Sequence, residues 1–138
     1  LTNIQTGLTV AQFVSMLEEN VRDNIRIYSS TGARVLESKY NETILGTGFK
    51  INLYDENSNI TDVIYTAVNG DLNGDGYATN ADLVILQKIM SGSRKATFEK
   101  YFVADINQDG YINYSDLVIY NQWLSGKIDF EKDYRYEF

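Results

Sequence analysis

Apolar positions fall into two regimes along the chain. Up to about residue 68, helical and strand spacings alternate in short runs; from Gly70 onward only helical spacing remains, and it occurs twice. In "GLTVAQFVSMLEENV", which starts at Gly7, Val10, Phe13, Val14 and Leu17 form one apolar stripe. Thr9 stands before the stripe as an N-cap, with Gln12 three residues later, the arrangement of a capping box. A helix over about 9–20 is predicted. Beyond it, Ile25 and Ile27 alternate with Arg26 and Tyr28, and Phe49, Ile51 and Leu53 alternate with Lys50, Asn52 and Tyr54. The turn cluster "DENSN" from Asp55 separates that second run from the β-rich "DVIYTAV" from Asp62, which predicts a hairpin. "ARVLES" after Thr31-Gly32 supplies a candidate strand, and Leu1–Ile4 a further edge strand. The economical architecture for residues 1–68 is a small α+β module, one helix lying on an antiparallel sheet. That length is marginal for a domain alone, so this half is expected to lean on its neighbour.

The second half, residues 69–138, reads as all-α. "GDLNGDGYATNADLVILQKIMSG" begins at Gly70, and "ADINQDGYINYSDLVIYNQWLSG" begins thirty-four residues later at Ala104. Each is an acidic loop followed by an apolar helix that ends in Ser-Gly, a C-cap signal. The repeats span about 71–92 and 105–126. Between them "SRKATFEKYF" predicts a connecting helix with Phe98, Tyr101 and Phe102 as its apolar side. Leu83, Ile85 or Leu86, Ile89 and Met90, with Leu117, Ile119, Tyr120, Trp123 and Leu124, are expected to form the core between the two repeat helices. Trp123 is expected to be buried, with an interface anchor as its alternative role. The linker near Val68–Gly70 is too short for a loose tether, so the halves are expected to dock. In the tail, 127–138, Tyr134, Tyr136 and Phe138 alternate with charged residues, as in an extended segment laid along a surface; a frayed terminus is the alternative.

Charge and composition narrow the chemistry. The net charge of −7 argues against a phosphate backbone or an anionic membrane surface as partner. Cysteine and histidine are both absent, which excludes thiolate and imidazole metal sites, disulfides and Ser-His-Asp or Cys-His catalysis. No apolar run reaches the roughly 18 residues of a membrane-spanning helix. No basic segment followed by a short apolar run marks a signal peptide, and Leu1 is expected to open a mature or excised piece.

The loops supply oxygen ligands at regular spacing. Counted from Asp71, positions 1, 3, 5, 6, 9 and 12 are Asp71, Asn73, Asp75, Gly76, Thr79 and Asp82; the second loop gives Asp105, Asn107, Asp109, Gly110, Asn113 and Asp116. This is the spacing of a twelve-residue calcium loop, which wraps about six to eight oxygens around the ion and needs glycine at its sharpest turn. Position 7 would ligate through a backbone carbonyl, here of Tyr77 and Tyr111. Position 12 is Asp where the common loop has Glu, so its helix must come closer to the ion. The competing reading is an Asx-rich turn with an acidic helix N-terminus; two loops matching at all six positions argue against it. Two Ca²⁺ ions would take the formal charge from −7 to −3. Because like charges crowd each loop, the second half is expected to be largely unfolded in chelator.

Two loop-plus-helix repeats in about sixty residues, on "GDLNGDGYATNADLVILQKIMSG" and "ADINQDGYINYSDLVIYNQWLSG", resemble a type I-like dockerin with two calcium-binding F-hands over roughly 69–127. The preceding half resembles, by its position, an accessory X module. The resemblance implies a non-catalytic monomer that binds a cohesin domain of a scaffold protein only with calcium. Such binding would anchor the parent protein in an extracellular, cellulosome-like polysaccharide-degrading complex of an anaerobic bacterium. It also implies that Asn80, Ala81 and Lys88 in the first repeat, and Tyr114, Ser115 and Gln122 in the second, read the partner, with Leu83 and Leu117 beside them. The Ser-Thr pair familiar at loop positions 10 and 11 is missing from both repeats. Asn-Ala and Tyr-Ser also differ from each other, which implies binding in a single orientation.

Other classes fit less well. Six of the 19 acidic residues sit in the loops, where metal would occupy them, which disfavours their use as a glycoside-hydrolase pair, and modules this small have no room for a large cleft. A calcium sensor needs a methionine-rich groove and an entering helix that swings. The chain has only Met16 and Met90, and neither loop is expected to have such a helix. A calcium-stabilised adhesion or glycan-binding module, using the tyrosines of the first half, is the remaining alternative.

Overall fold

The computed structural model describes residues 2–127. The expectation for the aromatic tail falls mostly outside the described residues. Five strands form one sheet in the order β1-β5-β4-β2-β3. These are β1 (Thr2–Ile4), β2 (Ile25–Tyr28), β3 (Arg34–Val35), β4 (Lys50–Tyr54) and β5 (Ile60–Val68). The β4–β5 hairpin forms as the alternation predicts, with Asp55 Oδ1 accepting from the amides of Asn57 and Asn59 to close its turn. Four strands are antiparallel, but β1 pairs with β5 in parallel, Thr2 opposite Thr66 and Ile4 opposite Val68. That corrects the all-antiparallel expectation. No turn joins β1 to β5, so nothing local fixes their relative direction. "ARVLES" contributes only two residues of strand before a 3₁₀ turn at Glu37–Lys39.

The expected helix over 9–20 is two pieces, α1 (Val10–Ser15) and α2 (Glu19–Arg22). The capping box of Thr9 and Gln12 is present, with both bonds made. The helix breaks at Met16, whose amide closes a tight turn onto the Phe13 carbonyl. Met16 is 73% exposed, so continuing through it would bury nothing. Val10 and Phe13 instead enter a core with Ile27, Leu45, Phe49, Ile51 and Val68.

A second core holds Ala67, Leu72, Ile85, Leu86, Val103, Ala104, Ile106 and Tyr120. It lies among α3 (Asn80–Met90), α4 (Phe98–Ala104) and α5 (Tyr114–Leu124). Leu83, Ile89, Met90, Leu117, Ile119, Trp123 and Leu124 pack around it, as their spacing predicts. Ala67 and Val68 are adjacent yet belong to different cores, because successive strand residues point to opposite faces. The end of β5 is therefore buried from both sides and joins the two halves.

Two expectations about the connector need correction. Its helix begins at Phe98, capped by Thr97, and buries Val103 and Ala104, whereas Phe98 is 72% exposed. It runs directly into Asp105, so the second loop does have an entering helix; only the first, fed by β5, lacks one. The sequence predicts this helix but not its buried face, because its apolar residues outnumber those that one face can bury. Among the described residues no helix is long and apolar enough to cross a membrane.

Candidate metal centre

The two loops share a common set of hydrogen bonds, position by position. The carboxylate at position 12 reaches back across the loop: Asp82 Oδ1 accepts from the amides of Leu72 and Asn73 at 2.8 and 2.9 Å, and Asp116 Oδ1 from those of Ile106 and Asn107 at 2.8 and 3.3 Å. The other oxygen of each accepts from the amide at position 9, Thr79 or Asn113, at 2.9 Å. Each thereby serves a capping box that starts α3 or α5. Position 3 accepts from the amide at position 5, and position 5 from that at position 7, in both loops. At position 6, Gly76 and Gly110 both sit at positive φ, +87° and +91°, and both donate their amides to Oδ2 of the position-1 aspartate at 2.9 Å.

These bonds leave the loop carboxylates short of positive charge. Asp71, Asp82 and Asp116 are fully buried, and Asp105 nearly so, while Asp75 and Asp109 are exposed. Among the described residues the one ion pair within 4 Å joins Lys39 to Glu42, far from either loop in sequence. Burial pushes the Asp71 carboxyl up to about 6, aided by the charge of Asp82 and opposed by the amides of Thr47, Gly76 and Gly74. Burial also raises Asp82, with Asp75 adding repulsion, and raises Asp105, with Asp116 and Asp109 adding theirs. Burial and the charge of Arg94 shift Lys100 on α4 below the usual lysine value, although it is within electrostatic reach of Asp71, whose charge raises its pKa.

Calcium fits this donor set. The predicted ligands are all oxygens, hard and partly anionic, held in a turn whose glycine admits the chain reversal. Among the described residues no group of three or more acidic side chains forms a metal cluster by itself. Neutral oxygens of Asn73, Tyr77 and Thr79, and of Asn107, Tyr111 and Asn113, would have to complete each shell. Tyr77 and Tyr111 are 46% and 70% exposed.

The predicted partner-reading residues separate into two groups. Asn80, Ala81, Lys88, Tyr114, Ser115 and Gln122 are exposed, whereas Leu83 and Leu117 are half-buried and pack against the core. The next residues in the repeated Leu-Val-Ile, Val84 and Val118, are the exposed ones, at 47% and 38%. Helical spacing could have separated these faces. No sequence signal pointed to Thr47, whose amide bonds to Asp71 from the other half of the chain.

Residues 69–125 match the family model of the dockerin type I domain. The match supports a dockerin domain over that segment, a non-catalytic module whose kind binds calcium and takes a cohesin partner in a cellulosome-type setting. No curated protein matches the chain.

Proposed function

We propose that residues 69–138 bind two Ca²⁺ ions, one in each loop, and with them dock a cohesin domain of an extracellular scaffold protein. The ligands are Asp71, Asn73, Asp75, Tyr77, Thr79 and Asp82 in the first loop, and Asp105, Asn107, Asp109, Tyr111, Asn113 and Asp116 in the second. The observation that carries this reading is the shared reach-back of Asp82 and Asp116, which ties each loop to the helix that would present its partner-reading residues. Asn80, Ala81 and Lys88 lie at the surface of the first repeat, and Tyr114, Ser115 and Gln122 at that of the second. Leu83 and Leu117 would act from beneath them, through packing. Because the repeats differ at these positions, docking uses one orientation.

Residues 1–68 form an X-like module that braces the dockerin, and the chain as a whole is a monomer without catalytic activity. The parent protein is thereby held in a complex that degrades polysaccharide outside an anaerobic bacterium. Binding to a panel of cohesins in calcium and in chelator tests the reading. Exchanging Asn80-Ala81 for Tyr-Ser, and the reverse at Tyr114-Ser115, then tests the orientation. Calcium-dependent binding altered by one exchange and not the other is expected; indifference to both exchanges would remove these residues from the interface.

A further inference from the structure

The two loops share a motif but stand in different surroundings. Thr47, between the first core's Leu45 and Phe49, donates its amide to Asp71 Oδ2 at 2.8 Å in a buried bond. With Gly74, Asp75 and Gly76, four amides hold that carboxylate. Asp105 receives side-chain bonds from the amides of Asp109 and Gly110, both inside its own loop. The Thr47 segment is itself pinned from behind. Its hydroxyl accepts from the Val68 amide at 2.9 Å, and Thr66 Oγ1 donates to the Gly46 carbonyl at 2.6 Å. On the far side of the loop, the amide of Gly7 donates to the Gly76 carbonyl at 3.0 Å.

Close packing repeats the contrast. A Cβ on Gly46 would stand 2.0 Å from the Gly74 carbonyl oxygen, and one on Gly76 would stand 2.3 Å from Ile44 Cγ2. One on Gly110 would meet nothing within 4 Å. The repeats also differ at loop position 4, which is left-handed in both: Gly74 at φ +84° and Gln108 at φ +56°. Gly74 lies against Ser30 and the Thr47 carbonyl, where a side chain would collide, and Gln108 is exposed. The wall beside the first loop thus accounts for a difference that the motif leaves free.

We infer that the first cation site is a composite of the two halves: the Gly46-Thr47 wall positions Asp71 for the ion, so the first half of the chain sets the affinity of the first loop and not of the second. The inference rests on the calcium reading above. Thr47 acts as a positioning residue. Its amide stabilises an ionised carboxylate that burial disfavours, and partners of this kind tune metal affinity by about 10–100-fold.

The test uses the full chain, stripped of metal, ¹⁵N-labelled and titrated with calcium chloride. The amides of Gly76 and Gly110 each bond to their own loop's first aspartate, so their resonances read the two sites separately. Gly46→Ala drives a methyl into the Gly74 carbonyl and is expected to raise the Gly76 midpoint by about tenfold or more. The Gly110 midpoint should stay within about twofold, as for an uncoupled distant site. Thr47→Val keeps the amide, removes the hydroxyl bonds to Val68, and is expected to shift Gly76 in the same direction by less. Equal shifts at both glycines, or none at Gly76, in a folded Gly46→Ala chain overturns the inference. If that variant does not fold, Thr47→Val decides by the same comparison. No calcium response at either glycine in the unaltered chain refutes the calcium reading itself.

Discussion

The hydroxyl of Tyr120, on the helix of the second repeat, donates to the carbonyl of Gly70 at the mouth of the first loop. Trp123, one turn further, stands edge-on to Tyr120 at 5.7 Å, and a Cβ on Gly70 would meet its ring at 2.9 Å. The second repeat therefore closes over the first loop's entrance, and both residues of the bond are buried. Tyr120→Phe should leave a buried carbonyl short of its donor, at a cost of about 1–3 kcal/mol. Thermal melts in saturating calcium should show Tm lowered by several degrees while both ions still bind. An unchanged Tm would mean that this bond does not hold the repeats together.

Removing the carboxylate at position 12 acts on one site at a time. Asp82→Ala takes away a proposed ligand and leaves the amides of Leu72, Asn73 and Thr79 without their acceptor. Calorimetric titration should then count one bound calcium where the unaltered chain binds two, and Asp116→Ala should do the same through the second loop. Two ions still bound in either variant would exclude that residue as a ligand.

Acidity should separate the metal-free and calcium-loaded chains. The folded Asp71 carboxyl lies at about 6, above the ordinary 3.8. A group that holds its proton more tightly when folded stabilises the fold fully below the ordinary value, and that contribution is lost as pH rises through the folded value. The metal-free chain should therefore gain stability from this group on acidification through about pH 6. Calcium needs the ionised form, so its stabilising effect should shrink over the same window. Paired melts with calcium and with chelator should converge as pH falls; curves that diverge toward acid would contradict the assignment.

How much of this was legible in the sequence follows from the range of each interaction. Thr9 and Gln12, the loop aspartates, and the glycines at 76 and 110 act over a few residues, so spacing alone placed them. The break at Met16 depends on there being nothing to cover it, which no local pattern records. The parallel pairing of β1 and the buried side of α4 depend on partners brought together by the whole fold. Thr47 is the clearest case: its bond to Asp71 spans 24 positions and uses only a backbone amide, which every residue type but proline carries.

Chelation should not loosen the two loops equally. Each site filled at a hundredfold excess over its dissociation constant adds about 2.7 kcal/mol to stability. The first loop is also bonded to the first half through Thr47 and Gly7, whereas the second has its own helices alone as neighbours in sequence. In chelator, hydrogen exchange should rise most in residues 105–113 and less in residues 71–79. Equal loss of protection would show that the contacts of Thr47 and Gly7 add no local stability.

Calorimetry of the full chain against cohesin domains of scaffold proteins, with calcium and then with chelator, tests the central claim most directly. Tight one-to-one binding to at least one cohesin, abolished by chelator and restored by added calcium, is the predicted result. A chain that binds two calcium ions and folds, yet takes no cohesin, would contradict it and leave the loops as structural staples.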